Sequence, residues 1–133
     1  MPNMVVCDTH VLLFWAAAPA RLTKPAGRLV EKARSKGELA CPDIVLWEIA
    51  MLEAKGRIDI PVPITDYLHD ITLALRLTIL PISPEIAALS QHTSFRHGDP
   101  ADRLIAATAL HHRATLVSGD EKLHGIPDLK VVW

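Results

Sequence analysis

Asp8, Glu48, Asp102 and Asp120 stand where a chain of alternating strands and helices gathers reacting groups. Asp8 closes the apolar run Val5-Val6-Cys7, Asp102 falls in the first turn of a helix opened by Asp99-Pro100, and Asp120 follows Leu116-Val117-Ser118-Gly119. Glu48 differs, lying inside the helix-like Leu46-Trp47-Glu48-Ile49-Ala50. Brought together, four carboxylates repel one another unless a cation sits among them. Hard oxygen donors of this kind select Mg²⁺ or Mn²⁺. Such an ion lowers the pKa of a bound water, orients a phosphodiester and offsets charge on the departing oxygen, so the chemistry indicated is phosphodiester hydrolysis.

A plainer reading exists for each aspartate. Asp8, Asp99, Asp102 and Asp120 can all be caps or first-turn acids that satisfy free backbone N–H groups and suit the helix dipole. Capping does not explain Glu48. Its helix is apolar nearly all round (Ile44, Val45, Trp47, Ile49, Met51, Leu52), so deep packing is expected, and a buried carboxylate with no partner is strongly disfavoured unless it is neutralised. Its alternative to a shared cation is an ion pair with Arg57 or Arg103. Arg96, His97 and Arg103 are candidate holders of substrate phosphates, or else solvated surface. His111-His112-Arg113 suits a helix C-terminus better than a metal site. Trp15, Trp47 and Trp133 read as core or interface anchors rather than base-stacking platforms. There is no zinc-like Cys/His spacing, phosphate-cradling glycine loop or nucleophile elbow.

The elements that position these groups follow from apolar patterning. Short runs at 4–7, 38–41, 78–80, 114–117 and 129–132 read as strands buried on both faces. Helices are expected over about 10–17, 24–36, 43–55, 64–77, 84–91 and 101–113, with a helical turn at 120–123. Thr23, Pro84-Glu85 and Asp99-Pro100 supply starts, while Gly37 and Gly56 supply stops. The prediction is an α/β fold, a five-stranded mostly parallel sheet flanked by helices on both faces, forming one domain over residues 1–133. Ligands of such sheets bind beyond the carboxyl ends of the strands.

Composition bounds the rest. The 133 residues are 50% hydrophobic but only 5% aromatic, which makes the core aliphatic. A formal net charge of −1 gives no global pull on nucleic acid, so phosphate binding must be local or metal-mediated. Cys7 and Cys41 form no disulfide framework, and a reducing cytoplasm is the expected location. The apolar run from Val11 to Ala20 is too short to span a bilayer, and no export signal is visible.

Four ordered motifs, Val-Cys-Asp-Thr-His-Val-Leu-Leu-Phe-Trp, Leu-Trp-Glu-Ile-Ala, His-Gly-Asp-Pro-Ala-Asp-Arg-Leu-Ile-Ala-Ala-Thr-Ala and Leu-Val-Ser-Gly-Asp, resemble the PIN-domain family. More narrowly they resemble the VapC-type toxins of type II toxin–antitoxin systems. The resemblance spans the chain down to Val131-Val132-Trp133. It implies a PIN fold, a Mg²⁺- or Mn²⁺-dependent endoribonuclease, a homodimer, and a small antitoxin that blocks the acidic site. Carried over by motif, the four family acids fall on Asp8, Glu48, Asp102 and Asp120, and the flanking hydroxyls on Thr9 and Ser118. Asp99 matches an extra aspartate found in a subgroup, although capping explains it better. Pro42 departs from the small hydroxyl residue that often starts the glutamate helix. The alternatives are a catalytically inactive PIN module that binds RNA or a protein partner, and a phosphoreceiver domain, for which a late active-site lysine is missing and Glu48 has no role.

Overall fold

The computed structural model describes residues 3–92, 95 and 98–133. In order it contains β1 (Val5–Cys7), α1 (Thr9–Ala17), a 3₁₀ turn (Pro19–Arg21), α2 (Lys24–Lys36), β2 (Leu39–Pro42), α3 (Asp43–Ala54), α4 (Ile64–Ala74), β3 (Thr78–Leu80), α5 (Pro84–Leu89), α6 (Pro100–His111), β4 (Thr115–Val117) and β5 (Val131–Val132). The expected strands and long helices are present. The short turn expected at Asp120–Leu123 is a run of turns, with the Leu123 N–H bonded to the Asp120 carbonyl at 3.1 Å. Helix α4 ends at Ala74 rather than Leu77, because the chain reverses through Arg76 at φ 52° before entering β3.

The strands form one sheet in the order β3-β2-β1-β4-β5, with every pairing parallel. Successive strand residues face opposite sides, yet Val6, Cys7, Leu39, Ala40, Cys41, Leu116 and Val117 are all 0% exposed, so both faces of the sheet are covered. Each fully buried aliphatic side chain contributes roughly 1.5–3 kcal/mol relative to an exposed one. The chain moves outward from β1 through β2 to β3, then returns to lay β4 and β5 along the other edge of β1. The crevice beyond the carboxyl ends of β1 and β4 is therefore the topological switch point, where open α/β sheets bind ligands.

Local chemistry fixes the helix starts. Asp8 Oδ1 accepts from the Val11 N–H at 3.1 Å, Thr23 caps α2, Ser83 caps α5, and Asp99 Oδ1 accepts from the N–H groups of Ala101 and Asp102 at 2.9 and 3.2 Å. At the start of α3, Pro42 makes no side-chain cap, as its ring dictates. Asp43 instead ties that helix to the segment after β3 by accepting from the Ile82 N–H at 3.1 Å.

Helix α3 departs from expectation. Only Val45 and Ile49 on it are buried, and Trp47 is 58% exposed. An apolar helix is packed all round only when neighbours surround it, and here the outward face carrying Ile44, Trp47 and Met51 borders a cavity of about 370 Å³ shared with Glu48, Asp99, Pro100 and Ala101.

Candidate active site

Two hydrogen bonds across long sequence separations organise the crevice. Ser118 Oγ, just past β4, donates to Asp8 Oδ2, just past β1. Thr9 Oγ1, at the first position of α1, donates to Glu48 Oε1 on α3. Asp8 thus divides its oxygens, Oδ1 capping α1 and Oδ2 receiving Ser118. Ser118 is itself held, since its Oγ accepts from the Asp120 N–H at 3.1 Å and its carbonyl meets a His124 ring nitrogen at 2.9 Å. Asp120 Oδ1 accepts from the Lys122 N–H at 3.0 Å, closing the turn expected at 120–123.

The acids feel one another. The Asp102 pKa is raised to about 7, first by burial and then by the charges of Asp99, Asp120, Glu48 and Asp8. Asp8, 7% exposed, is also raised: burial is the main cause and the Asp120 charge adds to it, opposed by the bonds from Ser118 and Val11 and by the charge of His10. Carboxylates carried by β1, α3, α6 and the β4 loop are therefore near enough to couple.

Among the described residues, however, no three of them stand close enough to ligate one ion as placed. Glu48 accepts from Thr9, and Asp99 caps α6. The donor set nevertheless fits a hard divalent cation in kind and charge: carboxylate oxygens and hydroxyls, with no competing thiol or imidazole cluster among the described residues. Neither Arg57 nor Arg103 forms an ion pair with Glu48 among the described residues. The Nε of Arg103 donates to the Ser90 carbonyl at 2.8 Å, on the α5 side of α6. Arg96 and His97 lie outside the described residues.

Three features escaped the sequence reading. His10, exposed in the first turn of α1, stands two residues from Asp8 and packs against Phe14. His124 braces the Ser118 carbonyl. Trp133 lies over the β4 loop: a Cβ on Gly119 would stand 2.8 Å from Trp133 Cε2 and 2.9 Å from Cζ2, so only glycine fits between Ser118 and Asp120. The dipeptide Gly-Asp after a strand hinted at this tight approach, but nothing local named the tryptophan.

A parallel sheet with carboxylates gathered at its switch point defines the class. The chain belongs to the PIN-domain family, whose model, "PIN domain", matches residues 5–129. Within the family it is similar to the VapC proteins: it is 38% identical to "Ribonuclease VapC22" of Mycobacterium tuberculosis (strain ATCC 25618 / H37Rv), over 97% of this chain and 98% of that one. Solved structures share the fold. VapBC2 from Rickettsia felis, bound to a DNA fragment from their promoter, matches with a TM-score of 0.71 at 21% identity over 97% of each chain. DNA-bound VapBC from Salmonella typhimurium matches at 0.70 and 16%, covering 98% of this chain and 97% of that one. A toxin–antitoxin complex from Klebsiella pneumoniae matches at 0.65 and 23%, covering 97% and 96%.

Proposed function

We propose that this chain is a Mg²⁺- or Mn²⁺-dependent endoribonuclease, the toxin of a type II toxin–antitoxin pair, acting at Asp8, Glu48, Asp102 and Asp120. The observation that carries the reading is the coupling of these acids at the switch point, tied by Ser118 to Asp8 and by Thr9 to Glu48. The relative named a ribonuclease, alike over nearly its whole length, supports the choice of RNA. The ion, when bound, supplies a nucleophilic water and offsets charge on the phosphodiester. The chain's own groups do the positioning. Asp8 is held at both oxygens, Oδ1 by the α1 cap and Oδ2 by Ser118, so its remaining lone pairs would face the ion; Glu48 is held by Thr9 at Oε1, Asp102 completes the set from the first turn of α6, and Asp120 closes it from the β4 loop. Asp99 acts as the α6 cap that aims Asp102.

The toxin reading includes a two-fold homodimer and an antitoxin segment that covers the acids, with the apolar cavity around Trp47 suited to the apolar side chains of that segment. It also places the protein in the cytoplasm; among the described residues no helix is long and apolar enough to cross a membrane. The second reading is a catalytically inactive PIN module that binds RNA or a protein partner, favoured by the capping bonds that Asp8 and Asp99 make.

Purified protein freed of any partner is expected to cleave RNA with Mn²⁺ or Mg²⁺ and to stop with EDTA. Asp8→Asn retains the cap and the Ser118 contact but removes one ligand charge, so cleavage should fall by roughly two orders of magnitude or more, in line with the loss of one strong electrostatic group at a reacting centre. Undiminished cleavage by Asp8→Asn sinks the assignment.

A further inference from the structure

Substrate phosphates approaching four carboxylates meet repulsion, so cations at the rim of the crevice carry unusual weight. The α1 side of the rim holds a continuous row of aromatic and basic groups. His10 and Phe14 meet at a 52° tilt with 5.9 Å between ring centroids, Phe14 and Trp133 at the same tilt with 6.4 Å, and the Arg21 guanidinium lies 4.2 Å over the Phe14 ring. The row starts at His10, two residues past Asp8 in the first turn of α1, and Trp133 joins it to Gly119, the neighbour of Asp120. His10 and Arg21 are exposed, while Phe14 and Trp133 are half-buried and form the floor. Among the described residues Arg21 has no carboxylate partner, so its charge is not already spent.

The geometry points to a single-stranded RNA subsite on this rim: the phosphodiester backbone running away from the scissile position is held by Arg21, with His10 against the adjoining nucleotide. This rests on the ribonuclease reading. Phe14 fixes the guanidinium by cation–π contact, so the planar donor fork faces the strand with little rotamer freedom left to lose. Alternating basic and aromatic side chains along a groove are what sequence-tolerant binding of single strands requires. The placement suits RNA better than a free anion, because the cations are strung out in a row rather than closed around one point.

The test is binding of a fluorescein-labelled, mixed-sequence single-stranded oligoribonucleotide in EDTA, measured by anisotropy over a series of salt concentrations. Arg21→Gln should weaken binding by up to about fivefold, the worth of one exposed ionic contact. It should also reduce the slope of log K against log salt by about 0.7, the counterion share of one phosphate on a single strand. Lys36→Gln, at the opposite end of the sheet, removes the same charge and should change neither. Phe14→Leu should reproduce the Arg21 loss with the Arg21 side chain still present. Equal effects of Arg21→Gln and Lys36→Gln, no effect of Arg21→Gln, or no binding by wild type each overturn the subsite. So does loss of antitoxin co-purification in Arg21→Gln with RNA affinity intact, which would assign the row to the protein partner. Wild type that binds with the predicted dependence yet fails to cleave with Mn²⁺ keeps the subsite and removes the nuclease.

Discussion

Asp8 is a cap and a candidate ligand at once, and its two oxygens separate the roles. Asn at this position keeps the cap oxygen, since Asn caps about as well as Asp, and an amide can still bond the Ser118 hydroxyl. If the acids only cap, stability should barely move. If they form a repelling cluster, Asp8→Asn should raise the melting temperature in EDTA by about 3–5 °C for each ~1 kcal/mol of repulsion relieved. It should also shrink the upward shift that millimolar Mn²⁺ produces in wild type, because an ion bound to the native state stabilises by mass action. Paired thermal melts of the two proteins, with EDTA and with Mn²⁺, read both effects; coincident melts with no metal response contradict the cluster. The cysteines give a second residue-scale expectation. Burial pushes the Cys41 thiol up to about 12, with the Asp43 charge adding to it, and Cys7 rises for the same main reason. Folding favours the protonated thiol, so this contribution to stability is complete below the unfolded value near 9.0 and is lost as pH rises toward 12. Native protein should resist iodoacetamide at a pH where the urea-unfolded chain is fully alkylated, as mass spectrometry would register.

At the scale of elements, two glycines in different settings make opposite predictions. Gly27 sits inside α2 with nothing within 4 Å of an added Cβ, so Gly27→Ala should stabilise by about 0.5–1 kcal/mol in a urea titration. Gly119→Ala drives a methyl group into the Trp133 indole, so it should destabilise the protein and displace the β4 loop that carries Asp120, lowering Mn²⁺ affinity as well as Tm. Much of this architecture was legible because it is written locally. Thr23, Pro84 and Asp99 announce their helices, the brief apolar runs announce strands covered on both faces, and the acids at strand ends announce the crevice. Helix α3 was misjudged for a physical reason: an apolar surface records what it would bury, not whether a neighbour in the same chain arrives to bury it. Trp133 against Gly119 is a contact between separate segments, and no spacing rule reaches it.

For the whole molecule, the exposed Trp47 face and the toxin reading together call for association. Light scattering across a wide concentration range should give twice 14.6 kDa, whereas a constant 14.6 kDa contradicts the dimer. The arrangement of the crevice bears also on when the site comes into being. The Ser118–Asp8 bond joins residues 110 apart in sequence, and the loop that makes it is covered by Trp133, which follows β5. Ribosomes release the chain from the N-terminus onward, so Asp8 and Glu48 emerge long before Asp120, and the brace on Asp120 emerges after it. A chain that has not yet presented Trp133 lacks the contact that covers the Gly119 loop. On the nuclease reading, the Asp120 side of the crevice is therefore completed after the Asp8 and Glu48 side.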